Sequence, residues 1–104
     1  MKGDIIVTEI MKLKEMLENA GIPHVFKRNG ENSFQICYPA DGFRRKCSVI
    51  QSSWSYGGDE NLLEIMGLLT ETEREEDAVL GWLSAEEVYK RIEKNWNLFG
   101  GTLG

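Results

Sequence analysis

The sequence predicts an α+β domain in which a three-stranded, or with one further strand four-stranded, antiparallel sheet is covered by about three helices in the order α-β-β-β-α-α. Three observations predict it. Apolar residues recur at three- and four-residue steps near both ends, they alternate between residues 22 and 50, and the alternating stretch is punctuated by Asn29-Gly30 and Asp41-Gly42. A sheet with one apolar face needs a covering layer, and helices with one apolar stripe supply it.

Ile6, Ile10, Leu13, Leu17 and Ala20 share one helical face, with Glu9, Lys12, Lys14, Glu15 and Glu18 between them. Gly21 can take the left-handed conformation that closes such a helix, and Pro23 cannot continue it, so the helix ends near Ala20. Three short strands follow, with the two Asx-Gly dipeptides as hairpin turns. A two-residue turn at Asp41-Gly42 places Ile36 opposite Cys47 and Phe34 opposite Val49 on one face, with Cys37 on the other. Leu62 to Leu69 is apolar on most of its circumference and reads as a short buried helix behind Asp59 and Glu60. Thr70 to Asp77 reads as an acidic loop and Ala78 to Leu83 as the further strand. Ser84 and Glu87 form a capping box, flanked by the staple pair Leu83 and Val88, and start the last helix. Its core face carries Ala85, Val88, Tyr89, Ile92, Trp96 and Phe99, and Gly100-Gly101 ends it.

The 104 residues, 41% hydrophobic with only two prolines, fit one folded domain spanning residues 1–104. Ile5, Ile6 and Val7 are too short an apolar run for a signal peptide or a membrane span, so the expected location is the cytoplasm, with no membrane partner. Cys37 and Cys47 are too few for a disulfide framework and, with His24 the only histidine, too few for structural zinc; their opposite-face register leaves both as free thiols. Charge is uneven. Residues 59 to 87 hold ten acids against Arg74 alone, whereas residues 24 to 58 hold five bases against two acids.

No catalytic constellation can be assembled. His24 has no nucleophile near it in sequence, and Glu71, Glu73, Glu75, Glu76 and Asp77 lie where water would hold their pKa values ordinary. The chain therefore reads as a binding protein rather than an enzyme, without cofactor or metal. Ser55-Tyr56-Gly57-Gly58 could offer backbone N–H groups to an anion, but it lacks the phosphate-loop ending, and Asp59 and Glu60 occupy the same helix start. Trp54 or Tyr56 could stack on a nucleotide base above Gly57 and Gly58, while Arg44, Arg45 and Lys46 reach its phosphate. A homodimer interface could complete that site. The plainer reading of the basic run is charge that protects a strand edge. Five bases in an acidic chain are a weak footprint for nucleic acid. Glu73, Glu75, Glu76 and Asp77 have a different functional reading, as an imitation of a phosphate backbone offered to a partner protein.

Glu-Asn-Ala-Gly-Ile-Pro at 18 to 23, Ser-Tyr-Gly-Gly at 55 to 58, Leu-Leu-Glu-Ile-Met-Gly-Leu-Leu at 62 to 69 and Gly-Trp-Leu-Ser-Ala-Glu-Glu-Val at 81 to 88 together resemble short uncharacterised proteins encoded by phages and prophages of Firmicutes. The resemblance covers most of the chain and brings no catalytic motif. It implies an accessory protein in a bacterial host cell that binds and inhibits a host or anti-phage defence protein, as anti-CRISPR proteins do. The alternative is a binder that sequesters the nucleotide signal of a defence system.

Overall fold

A computed structural model describes residues 8–52, 55 and 60–100. Helix α1, Glu9–Ala20, is followed by strands β1 (Val25–Gly30) and β2 (Ser33–Tyr38), a 3-10 turn at Gly42–Arg44, and strands β3 (Cys47–Gln51) and β4 (Leu63–Gly67). Then come helix α2 (Glu71–Glu76), strand β5 (Val79–Leu83) and helix α3 (Ala85–Asn95), which runs into a wider π-helical turn, Trp96–Gly100. Among the described residues the strands form one antiparallel sheet in the order β1-β2-β3-β4-β5. The α+β class agrees with the sequence reading, but the sheet is larger than expected.

Helix α1 closes as its sequence predicts. Gly21 has φ +69°, and its N–H and that of Ile22 return to the carbonyls of Glu18 and Leu17. Its start depends on distant side chains: the Glu9 N–H donates to Asn61 Oδ1 and the Ile10 N–H to Gln51 Oε1, both at 3.0 Å. Those two bonds satisfy helix-end donors that Thr8 leaves uncapped. Ser84 and Glu87 form the expected capping box of α3, and Glu9 Oε2 accepts a further bond from the Ala85 N–H at 2.8 Å.

The core lies between one sheet face and the pair α1 and α3. Ile10, Leu13 and Leu17 meet Val88 and Ile92 above Ile36, Val49, Leu63 and Ile65, all fully buried. Truncating any of these to alanine removes transfer energy and leaves a cavity, a loss of roughly 2–5 kcal/mol for Leu or Ile.

Four expectations are corrected. Residues 62 to 69 are not a helix, and Leu63–Gly67 within them form β4: Leu63 and Ile65 point into the core while Glu64 and Met66 point outward, and the strand pairs with β3 on one side and β5 on the other. A short apolar run fits a buried strand as well as a helix, and two neighbouring strands decide for the strand. Thr70 to Glu76 is not a loop, because Thr70 and Glu73 form a second capping box that starts α2. Glu31 and Asn32, not Asn29-Gly30, turn the first hairpin, with Gly30 paired to Ser33. The second hairpin is wider than a two-residue turn, so Ile36 lies opposite Val49 and Tyr38 opposite Cys47. That slip of two residues preserves the faces. Cys47 faces the core and Cys37 the other side, and both are free thiols.

Candidate functional site

Three segments meet at one end of the sheet. They are the β2–β3 connection after Tyr38, the stretch after Gly67 and the π-helical turn that ends α3. Gly67 is the pivot: it pairs with Cys47 at φ +100°, and a Cβ there would lie 2.3 Å from the Lys46 carbonyl oxygen. Only glycine permits so close an approach. It brings Leu68 and Leu69 beside Lys46.

Three adjoining depressions of about 630, 490 and 320 Å³ open at this end. Lys46 borders the first and third, Leu68 and Leu69 the first and second, and Phe99 the second and third, so they form one concavity. Arg44 lines the third, Arg74 the first and Lys94 the second. Arg44, Lys46, Arg74 and Lys94 are exposed, and none has a carboxylate partner among the described residues. Lys46 lies 6.0 Å from the Phe99 ring centroid. Leu98 and Phe99 are more than half exposed, so the rim is apolar as well as cationic.

The frame around it is fixed. Arg91 grips Glu73 with two charge-assisted bonds of 2.8 and 2.7 Å and donates a third to the Leu68 carbonyl at 3.1 Å, tying α3 to α2 and to the end of β4. The guanidinium, aided by the Thr70 N–H, lowers the Glu73 carboxyl from 4.5 to about 2. Tyr38 is buried and donates its hydroxyl proton to Asn95 Oδ1 at 2.8 Å; burial also raises its pKa. Burial pushes the Cys47 thiol up to about 12, which leaves it no nucleophilic role at neutral pH.

The structure redistributes the residues singled out from sequence. Arg44 and Lys46 reach the concavity, whereas Arg45 turns to Asp41 (3.6 Å), which also pairs with Lys27. Edge protection fails as an account of Arg44, Arg45 and Lys46, since β2 and β3 are interior strands; it suits Lys27 and Arg28 on the edge strand β1. Glu73 is engaged by Arg91, while Glu75, Glu76 and Asp77 are exposed at the end of α2. Trp54, Tyr56, Gly57 and Gly58 lie outside the described residues. His24 is half-buried at the start of β1, with Nδ1 2.8 Å from the Ile22 carbonyl. Among the described residues, no three His, Cys, Asp or Glu side chains converge on a point that could hold a metal ion, and no helix is long and apolar enough to cross a membrane.

The sequence reading missed Arg74, Lys94 and the exposed position of Phe99. Lys90, Arg91 and Lys94 near the end of the last helix were a legible signal, but their convergence with Arg44 and Lys46 depends on the five-stranded register. Comparison with protein-family models, curated proteins and solved structures finds no match.

Proposed function

We propose that this chain acts by binding, as a phage-type accessory protein in the bacterial cytoplasm that docks on an acidic surface of a host or defence protein and inhibits it. The observation that carries this reading is the set of four exposed cations, Arg44, Lys46, Arg74 and Lys94, which have no carboxylate partner among the described residues, around an apolar concavity in a chain of net charge −5. Arg28 and Lys90 also lack a carboxylate partner among the described residues, but these four border adjoining depressions at one end of the sheet. Cations held near exposed apolar rings suit an acidic partner, since the charges speed encounter and the rings supply contact area.

The test compares the wild type with the combined variant Arg44→Ala, Lys46→Ala, Arg74→Ala, Lys94→Ala. Both are used to capture partners from bacterial lysate, and the recovered protein is then titrated against each. The variant should bind at least about tenfold more weakly, and about 0.5 M salt should weaken the wild type by screening. Equal affinity of the two, with the variant folded by circular dichroism, would remove the concavity from the function.

A further inference from the structure

We infer that Phe43 anchors the docking surface, its ring entering an apolar pocket bordered by carboxylates on the partner protein. The inference rests on the proposed reading of the chain as a protein that docks on an acidic surface, and it names the side chain that fixes the contact. Phe43 lies between Gly42 and Arg44 in the 3-10 turn that joins β2 to β3, and Arg44 borders the smallest of the three depressions. The ring is thus carried at the margin of the concavity rather than within it.

Its exposure sets it apart. Met11, Met66, Trp82, Leu98 and Phe99 are 40–57% exposed, so each still covers part of the fold, whereas Phe43 at 110% is as open to water as in an extended peptide. A single half-covered apolar side chain is ordinary for a protein surface. A ring that packs on nothing in its own fold adds nothing to folding, and its whole apolar area stays available for binding.

The turn that carries it is held from both sides. Asp41 Oδ1 accepts the Gly42 N–H at 2.9 Å, the Arg45 N–H donates to the Gly42 carbonyl at 3.1 Å, and the Lys46 N–H donates to the Tyr38 carbonyl at 2.7 Å. Asp41 also pairs with Lys27 of β1 and, at 3.6 Å, with Arg45. A fixed backbone loses little freedom on binding, and an aromatic side chain with two rotatable bonds loses little more, so most of the burial appears as affinity.

The charges around the ring select the partner. One carboxylate shared by Lys27 and Arg45 leaves the tip positive, and the exposed Arg44 and Lys46 add to it. An apolar pocket with carboxylates at its rim satisfies ring and cations together. A nucleic acid or an anionic membrane also offers negative charge, but over an extended surface that would meet the exposed Glu75, Glu76 and Asp77 of this acidic chain as well. Single-strand binding also uses successive aromatic side chains, and the Phe99 ring already holds Lys46.

The experiment begins with Phe43→p-benzoylphenylalanine in the full chain, irradiated in bacterial lysate, with the coupled residues identified by mass spectrometry. One protein should be coupled at apolar residues that have Asp or Glu beside them, and Asn19→p-benzoylphenylalanine, exposed on α1, should not couple to it. Titrated against that protein, Phe43→Ala should bind at least about tenfold more weakly and Phe43→Leu only several-fold, with the denaturant midpoint unmoved in both because the ring packs on nothing. Coupling to no protein overturns the inference, as does coupling at a site without carboxylates or equal affinity of Phe43→Ala and wild type. Phosphatidylcholine–phosphatidylserine vesicles and a thymidine oligonucleotide should not distinguish wild type from Phe43→Ala; binding to either that depends on Phe43 overturns it in favour of a membrane or a nucleic acid. Affinity lost in the four-cation variant but kept in Phe43→Ala leaves the docking surface standing and removes the anchor alone. Affinity kept in both removes both.

Discussion

Arg91 and Glu73 face each other fork to fork, Nη1 to Oε1 at 2.8 Å and Nη2 to Oε2 at 2.7 Å, and this pair holds the short helix α2 against α3. A six-residue helix has too few internal bonds to persist without tertiary support. Both side chains are about three-quarters buried, and the two-pronged geometry places the pair at the upper end of exposed ion-pair strengths. Arg91→Ala should destabilise by about 1 kcal/mol. Because the folded pKa of Glu73 is depressed, from 4.5 to about 2, its contribution is complete above pH 4.5 and lost as pH falls towards 2. Urea midpoints measured across that window should fall more steeply for the wild type than for Arg91→Ala. Part of the slope should survive in the variant, since the Thr70 N–H still favours the carboxylate. Parallel curves would show that the pair is not formed in solution.

Gly67→Ala and Gly21→Ala separate two uses of glycine. Both residues have positive φ, but a Cβ at Gly21 meets open space, whereas one at Gly67 meets the Lys46 carbonyl oxygen at 2.3 Å and the Cys47 Cα of β3 at 2.9 Å. Gly21→Ala should therefore cost only the left-handed conformation, about 1 kcal/mol. Gly67→Ala must also push β4 from β3, for a loss of at least about 2 kcal/mol. Chemical denaturation of both variants checks the order, and an equal loss would place the β3–β4 pairing elsewhere.

Ser84→Ala should destabilise by about 1 kcal/mol, because Ser84 Oγ accepts the Glu87 N–H at 3.2 Å at the start of α3. Glu87→Ala should cost less, since the Ser84 N–H it binds is exposed and water can replace it. If neither change moves the denaturant midpoint, the box does not stabilise α3.

This capping box was legible because its signature is local, and so was α1, whose apolar stripe and Gly21-Pro23 stop lie within one segment. The strand β4 was not. Leu63, Glu64, Ile65, Met66 and Gly67 carry a period that two structures satisfy, and only pairing with Val49 and Leu80, distant in sequence, selects one. The Thr70/Glu73 box was local too, but the run of acids around it drew the reading towards a solvated loop. The concavity follows the same division. Arg44 and Lys46 were visible as a basic run, but Arg74 and Lys94 join them only through the register of β4 and the docking of α2 by Arg91.

Cys37 and Cys47 should both resist a thiol reagent in the native protein and both react once it is unfolded without reductant. They are buried on opposite faces of the sheet, and burial keeps Cys47 protonated with its pKa at about 12. Fewer than two titratable thiols after unfolding would mean that a disulfide forms, against the register that separates the two cysteines.

The last prediction sets the two charged surfaces against each other. Glu75 and Glu76 are exposed on α2, close in sequence to Arg74 on the rim of the concavity. If the concavity docks an acidic partner, these carboxylates repel it, and Glu75→Gln combined with Glu76→Gln should speed association and tighten binding several-fold. The gain should vanish at high salt, because exposed charges are screened beyond about 10 Å at 0.1 M. If instead α2 imitates a phosphate backbone for a basic partner, the same variant should lose capture, and neutralising Arg44 and Lys46 should leave capture unchanged. Glu73 is left untouched in this comparison, since losing its bond to Arg91 would loosen α2 and blur a change of charge with a change of fold. Association rates of both variants against one captured partner, at low and high salt, therefore have opposite signs under the two readings. A tightened Glu75/Glu76 variant places the partner in the concavity, and a weakened one places it on α2.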